Sequence, residues 1–208
     1  DLFESTAAEN IGAMILGASL YPIYGKGAIL FPLVARAFGL LASMVGFLCV
    51  RCSEKENPMS ALNRGYLITS VLAALGFYVA VRMLLGGNAW LFASGMIGMA
   101  TSYLFIWITQ YYTESDYRPV RSIAEAAQTG PATTIITGLS VALECTAMPV
   151  IVISAALLGS YACGVEGLND MGLTAMASGL YGTAVATMGM LSTCAYILAM
   201  DTFGPITD

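Results

Sequence analysis

The 208-residue chain is 58% hydrophobic and 10% charged, with a mean hydropathy of +0.77 and a net charge of −5. A soluble domain carries about 25% charged residues, so a soluble globular fold is excluded and an all-α, polytopic transmembrane helix bundle is expected. The chain has no histidine, which removes imidazole acid–base chemistry, haem ligation and most zinc sites; it has no basic patch either, which argues against a nucleic-acid partner.

Six apolar stretches are long enough to cross a bilayer, which takes about 20 residues. They are 2–22, 27–50, 65–86, 89–112, 131–162 and 173–200, and residues 1–208 are read as part of a single transmembrane domain. The first stretch begins with acids: Asp1, Glu4 and Glu9. A carboxylate at mid-membrane costs roughly 2.5–3.5 kcal/mol on insertion scales. At about 100° per residue, Asp1, Glu4 and Ser5 share one arc, and Asn10 faces the opposite way. That arc offers two carboxylates and a hydroxyl, all oxygen donors of the kind hard cations prefer. Two readings stand side by side: a cation path, or acids that favour a helix N-terminus. Glu9 and Asn10, deeper in, weigh against capping alone.

The second span contains Arg36 and ends in Cys49 and Cys52, a CxxC without the βαβ context of a redox motif. The gap after it holds Arg51, Lys55 and Arg64. The third span carries Arg82 near its end. The fourth has Trp90 at one end and Trp107, Tyr111 and Tyr112 at the other, as interfacial belts do; packing between helices explains Trp107 equally well. In the gap 113–130, PVRSIAEAAQ has the pattern of a short amphipathic helix, but its composition reads better as a solvated connector. Arg51, Lys55, Arg64, Arg118 and Arg121 lie on one side, Lys26 and Arg82 on the other, which makes the termini cytoplasmic.

The fifth span is longer than a bilayer needs, and Pro149 is expected to kink it. Glu144 is expected to be buried there, either as a functional acid or as an intramembrane polar contact, with Arg36 as one partner. In the sixth span Ala175, Gly179, Thr183 and Thr187 recur every four residues, with Ser178, Gly182 and Ala186 beside them. Ser94, Gly98 and Ser102 make a similar row in the fourth. Such rows let helix backbones approach closely in lipid. After the sixth span, DTFGPITD carries Asp201 and Asp208, with Gly204-Pro205 expected to end the helix between them. A carboxylate just past a membrane helix suits Mg²⁺ and a phosphate substrate; a surface turn explains it equally well.

DLFEST at the start, RPVRSIAEAAQTGPATTIITGLSVALECTAMPV in the middle, and GMLSTCAYILAMD running into DTFGPITD at the end occur together and in order. In this the chain resembles the membrane-bound, ion-pumping inorganic pyrophosphatases of vacuolar and bacterial membranes. The resemblance implies a homodimer of sixteen-helix subunits in a cell inner or vacuolar-type membrane. This chain would supply the sixth to eleventh helices and the start of the twelfth. It implies hydrolysis of Mg²⁺-pyrophosphate coupled to H⁺ or Na⁺ movement out of the cytoplasm. Asp1 and Glu4 match the acids of the ion gate, the glutamate standing at Ala8 in other members. Ser5 matches a hydroxyl beside the Na⁺ site, and Asp208 an aspartate of the metal and substrate site. No role follows for Asp201. Dependence on K⁺ stays open, because the residue that sets it lies beyond Asp208. The chain lacks the family's aspartate-rich segment and the gate's basic partners, so alone it is expected to be inactive. It opens without Met and reads as an internal piece of a longer protein. Two other readings of the same buried acids are a secondary cation transporter and a non-catalytic membrane scaffold.

Overall fold

The computed structural model describes residues 2–51 and 58–207. Among them are ten α-helices and no strand: α1 (Leu2–Ala18), α2 (Tyr21–Tyr24), α3 (Lys26–Cys49), α4 (Pro58–Leu84), α5 (Ala89–Thr113), α6 (Arg118–Ala127), α7 (Pro131–Glu144), α8 (Ala147–Leu168), α9 (Ala175–Met190) and α10 (Cys194–Thr207). Short 3₁₀ turns at Asn169–Met171 and Leu191–Thr193 lie before α9 and between α9 and α10.

The all-α membrane architecture is as the apolar lengths require, but the count of spans changes. Five stretches of the described residues are long and apolar enough to cross a membrane: Lys26–Cys49, Pro58–Leu84, Ala89–Ala127, Pro131–Leu168 and Ala175–Thr202. The first of the six expected spans divides into α1 and the four-residue α2. With 17 residues, α1 is about 25 Å long at about 1.5 Å per residue, against a hydrocarbon core of about 30 Å.

The chain forms two compact units, residues 1–100 with 158–208, and residues 101–157. In the first unit α3 and α4 lie against each other with small residues at the contacts. Gly46 meets the Thr69 side chain and the Gly65 carbonyl, and Gly76 meets the Phe38 ring. Phe31 and Phe77 pack edge to face with centroids 5.3 Å apart, in a core that also holds Leu85, Leu91, Tyr181 and Met188. The turn into α5 uses Gly86 and Gly87 at φ +62° and +75°, a conformation glycine adopts without a Cβ penalty. Asn88 follows. Its Oδ1 accepts from the backbone N–H of Trp90 (3.0 Å) and Leu91 (3.3 Å), while its Nδ2 donates to the Gly167 carbonyl of α8 (2.6 Å). One side chain thus starts α5 and ties it to the end of α8.

The small-residue rows make close backbone crossings. A Cβ on Gly182 would meet the Ser160 carbonyl and the Gly164 backbone; one on Gly98 would meet the Ala186 carbonyl; one on Gly189 would meet the Gly95 carbonyl. Ser94 Oγ donates to the Gly182 carbonyl at 2.6 Å and is fully buried. In lipid such crossings depend on dispersion and interhelical hydrogen bonds, because burial between helices gains nothing over burial in acyl chains.

In the second unit the stretch expected as a connector is helical: α6 covers Arg118–Ala127, with Pro119 in its first turn, where no N–H is missed. Tyr111 gathers Tyr112 (ring centroids 5.0 Å) and Tyr117 (5.4 Å) beside the Trp107 ring (6.4 Å). The break in the fifth span falls at Cys145–Thr146, between α7 and α8, and not at Pro149 itself. Proline has no N–H to offer the carbonyl four residues back, so the helix is interrupted there, and Pro149 sits in the first turn of α8, where its ring is tolerated. The Gly204-Pro205 pair, in contrast, does not end α10, which continues to Thr207. Proline at 205 forfeits the bond to the Asp201 carbonyl, and the helix absorbs that loss in its last turn.

Candidate functional site

The acids that head α1 and the cavity beside α1 occupy different faces of the same helix. Glu4, Ser5 and Glu9 are exposed. Thr6, Asn10 and Met14, spaced four apart on the other face, line a cavity of about 580 Å³ with Arg36 and Leu40 of α3 and Ser192 of the 3₁₀ turn. Asn10 is six residues from Glu4, or about 120° around the helix, so the side of α1 turned away from Glu4 is the one that meets α3 and α9.

The polar groups of this cavity are few. Arg36, half-buried in the middle of α3, donates from a guanidinium nitrogen to the Leu191 carbonyl at 2.6 Å. That carbonyl stands where α9 gives way to the 3₁₀ turn, and it also accepts the Cys194 backbone N–H that closes the turn. Arginine meets such a group with a charge-assisted bond. Asn10 Nδ2 donates to the Thr6 carbonyl (3.1 Å), and its Oδ1 is buried with no hydrogen-bond partner among the described residues. The Thr6 hydroxyl lies 3.7 Å from the Cys194 sulfur at the start of α10. The 3₁₀ turn is held from the other side too, by the Tyr66 hydroxyl 3.3 Å from Thr193 Oγ1. Two residues into α10, Tyr196 donates to the Leu62 carbonyl (2.9 Å) and stacks on Phe47 (4.9 Å).

Of the residues singled out in the sequence, Asp1 and Asp208 lie outside the described residues. Asp201 is exposed on α10. Glu144, expected to be buried, is the exposed last residue of α7 in the second unit; the break at Cys145 ends the helix before its side chain is enclosed. Arg36, offered as its partner, is engaged by the Leu191 carbonyl. Among the described residues no three His, Cys, Asp or Glu side chains gather at one place. The cavity set of Thr6, Asn10 and Arg36 was not assembled from the sequence. Its one signal was a lone arginine in an apolar span, a costly residue that needs a specific acceptor.

The family model described as inorganic H⁺ pyrophosphatase matches residues 1–208. The chain is 57% identical over its whole length to the K⁺-insensitive pyrophosphate-energized proton pump 2 of Moorella thermoacetica, of which it covers 30%. It is 46% identical over its whole length to the pyrophosphate-energized membrane proton pump 3 of Arabidopsis thaliana, covering 28% of it. It is 36% identical, again over its whole length, to a putative K⁺-stimulated pyrophosphate-energized sodium pump of Clostridium tetani, covering 30%. The chain therefore spans about 30% of the length of the curated relatives it matches. Matched from its first residue to its last, the chain belongs to the inorganic H⁺ pyrophosphatase family.

Proposed function

We propose that the chain is part of a pyrophosphate-energised ion pump, which couples hydrolysis of Mg²⁺-pyrophosphate to movement of H⁺ or Na⁺ out of the cytoplasm. The observation that carries this reading is the family match across all 208 residues, together with relatives that are themselves called pyrophosphate-energized pumps. The chain is an integral, multi-pass membrane protein, with five apolar stretches of spanning length among its described residues.

Within the pump, Asp1, Glu4 and Ser5 form part of the ion gate, and Asp208 contributes a carboxylate to the metal and substrate site. The exposure of Glu4 and Ser5 on α1 supports this assignment, because a face left open by α3 and α9 is available to helices elsewhere in the longer protein. A carboxylate on that face needs a cation, either the passenger or a basic side chain, to offset its desolvation. Relatives called K⁺-insensitive and K⁺-stimulated both match, and we assign K⁺ no role. The working unit is a homodimer.

The test uses the full-length protein in vesicles, with Mg²⁺ and pyrophosphate added on the cytoplasmic side and H⁺ and Na⁺ uptake followed together. Ion uptake that requires pyrophosphate is expected, and Glu4→Ala should abolish it or change the ion carried. Uptake driven by a pre-set gradient without pyrophosphate would overturn the pump reading.

A further inference from the structure

Arg36 is a cation placed in the middle of a membrane-spanning helix, and its observed bond is to a backbone carbonyl at a break in another helix. The two sides of that break share α3, through the Tyr181 hydroxyl on the Ala28 carbonyl before it and the Tyr196–Phe47 stack after it, and differ in their other neighbours. Before it, α9 is locked by glycine contacts to α8 and α5 through Gly182 and Gly189. After it, α10 is held to α4 by the Tyr196 hydroxyl on the Leu62 carbonyl and to α3 by the Tyr196–Phe47 stack. The turn Leu191–Thr193 joins the halves, and Arg36 reaches it from α3, 155 residues away in sequence. A third helix touches the same place: Thr6 of α1 is 3.7 Å from Cys194, and Asn10 shares the cavity with Arg36.

We propose that Arg36 is a positioning residue that fixes the direction of α10 at the α9–α10 break, and so links the pyrophosphate end of α10 to the ion path along α1. The inference rests on the pump reading above, which places Asp208 beyond the end of α10 and the gate acids on α1. The physical basis is the number of donors. A guanidinium has five N–H groups in a planar fork, one of which holds Leu191, and it stays charged at any accessible pH. Without it, the Leu191 carbonyl keeps only the Cys194 N–H that closes the turn, and the turn, still held by Gly39 against Ser192 and by Tyr66 on Thr193, loses its one charged tie to α3. Arg36 is not among the residues assigned above to substrate or passenger, so its loss should alter how hydrolysis and transport are tied and leave hydrolysis itself in place.

The experiment compares the full-length protein with its Arg36→Met and Arg36→Lys variants in vesicles, measuring phosphate release and ion uptake in the same sample. Unsubstituted protein that moves no ions on pyrophosphate would sink the pump reading before any variant is compared. Given a working pump, Arg36→Met should still hydrolyse pyrophosphate but move about threefold fewer ions, or fewer still, per pyrophosphate, an effect within the usual range for residues between coupled sites. Arg36→Lys keeps a charged donor on a long stem and should recover at least half of the lost ratio. An unchanged ratio in Arg36→Met overturns the inference, as does a Lys variant no better than Met. Should Arg36→Met fail to accumulate folded, Cys194 at the start of α10 reads the joint in otherwise unsubstituted protein with its other cysteines replaced. A non-hydrolysable pyrophosphate analogue should change the rate of its modification about threefold; an unchanged rate overturns the inference.

Discussion

Loss of Asn88 should be felt in two helices at once. The residue caps α5 through Oδ1 and holds the Gly167 carbonyl of α8 through Nδ2. Removing an N-cap side chain costs about 1–2 kcal/mol, and here a helix-to-helix bond goes with it. Asn88→Ala should therefore lower the unfolding midpoint of the detergent-solubilised full-length protein, while Asn88→Asp, which keeps the cap acceptor and loses the donor, should fall between the two. Ser94→Ala removes a buried donor from the Gly182 carbonyl. Interhelical hydrogen bonds in membranes average about 0.6 kcal/mol, so its effect should be the smaller of the two in the same melt. Neither role was legible in the sequence. An asparagine after two glycines announces a turn, but the acceptor it finds lies 79 residues later, and no local pattern names it.

At the level of helices, the glycine crossings make a sharper prediction. Gly182→Ala would press a methyl onto the Ser160 carbonyl and the Gly164 backbone, and overpacking of this kind costs about 1–3 kcal/mol. Gly159→Ala would meet Ile97 Cδ1 at 3.4 Å, an ordinary contact, and should be tolerated within about 0.5 kcal/mol. Thermal unfolding of the two variants side by side tests the contrast. These crossings were legible: the four-residue spacing of Ser178, Gly182 and Ala186 marked a contact face before any partner was known. The first span was not. Hydropathy averaged over residues 2–22 hides the division at Ser19–Leu20, where α1 stops. The helix of residues 118–127 was missed because its composition is polar, although its apolar and charged residues do segregate by face; composition was given more weight than spacing. Glu144 is a related case: its apolar neighbours in sequence suggested enclosure, and among the described residues its side chain at the end of α7 is exposed. Arg36 shows the limit most clearly: its cost in an apolar span was visible, whereas its acceptor, a turn carbonyl 155 residues away, exists only in three dimensions.

For the whole chain, the charge distribution gives an orientation that labelling can check. With Arg51, Lys55 and Arg64 on the cytoplasmic side, Cys49 at the end of α3 should react with a membrane-impermeant thiol reagent only when that side is exposed, in a protein whose other cysteines have been replaced. Cys49 is exposed in the structure, so a lack of reaction from one side reports the membrane and not packing. Reaction from the opposite side would invert the orientation and with it the direction assigned to transport.

Where Gly95, Gly98, Gly164, Gly182 and Gly189 bring backbones together, there is no cushion of rotatable side chains between the rods. A shift of one is handed to the next with little lost along the way. The interruption at Leu191–Thr193 is gripped as firmly, with Gly39 of α3 against the Ser192 carbonyl and Tyr66 on Thr193, so a displacement of α9 is delivered through it into the helix that follows.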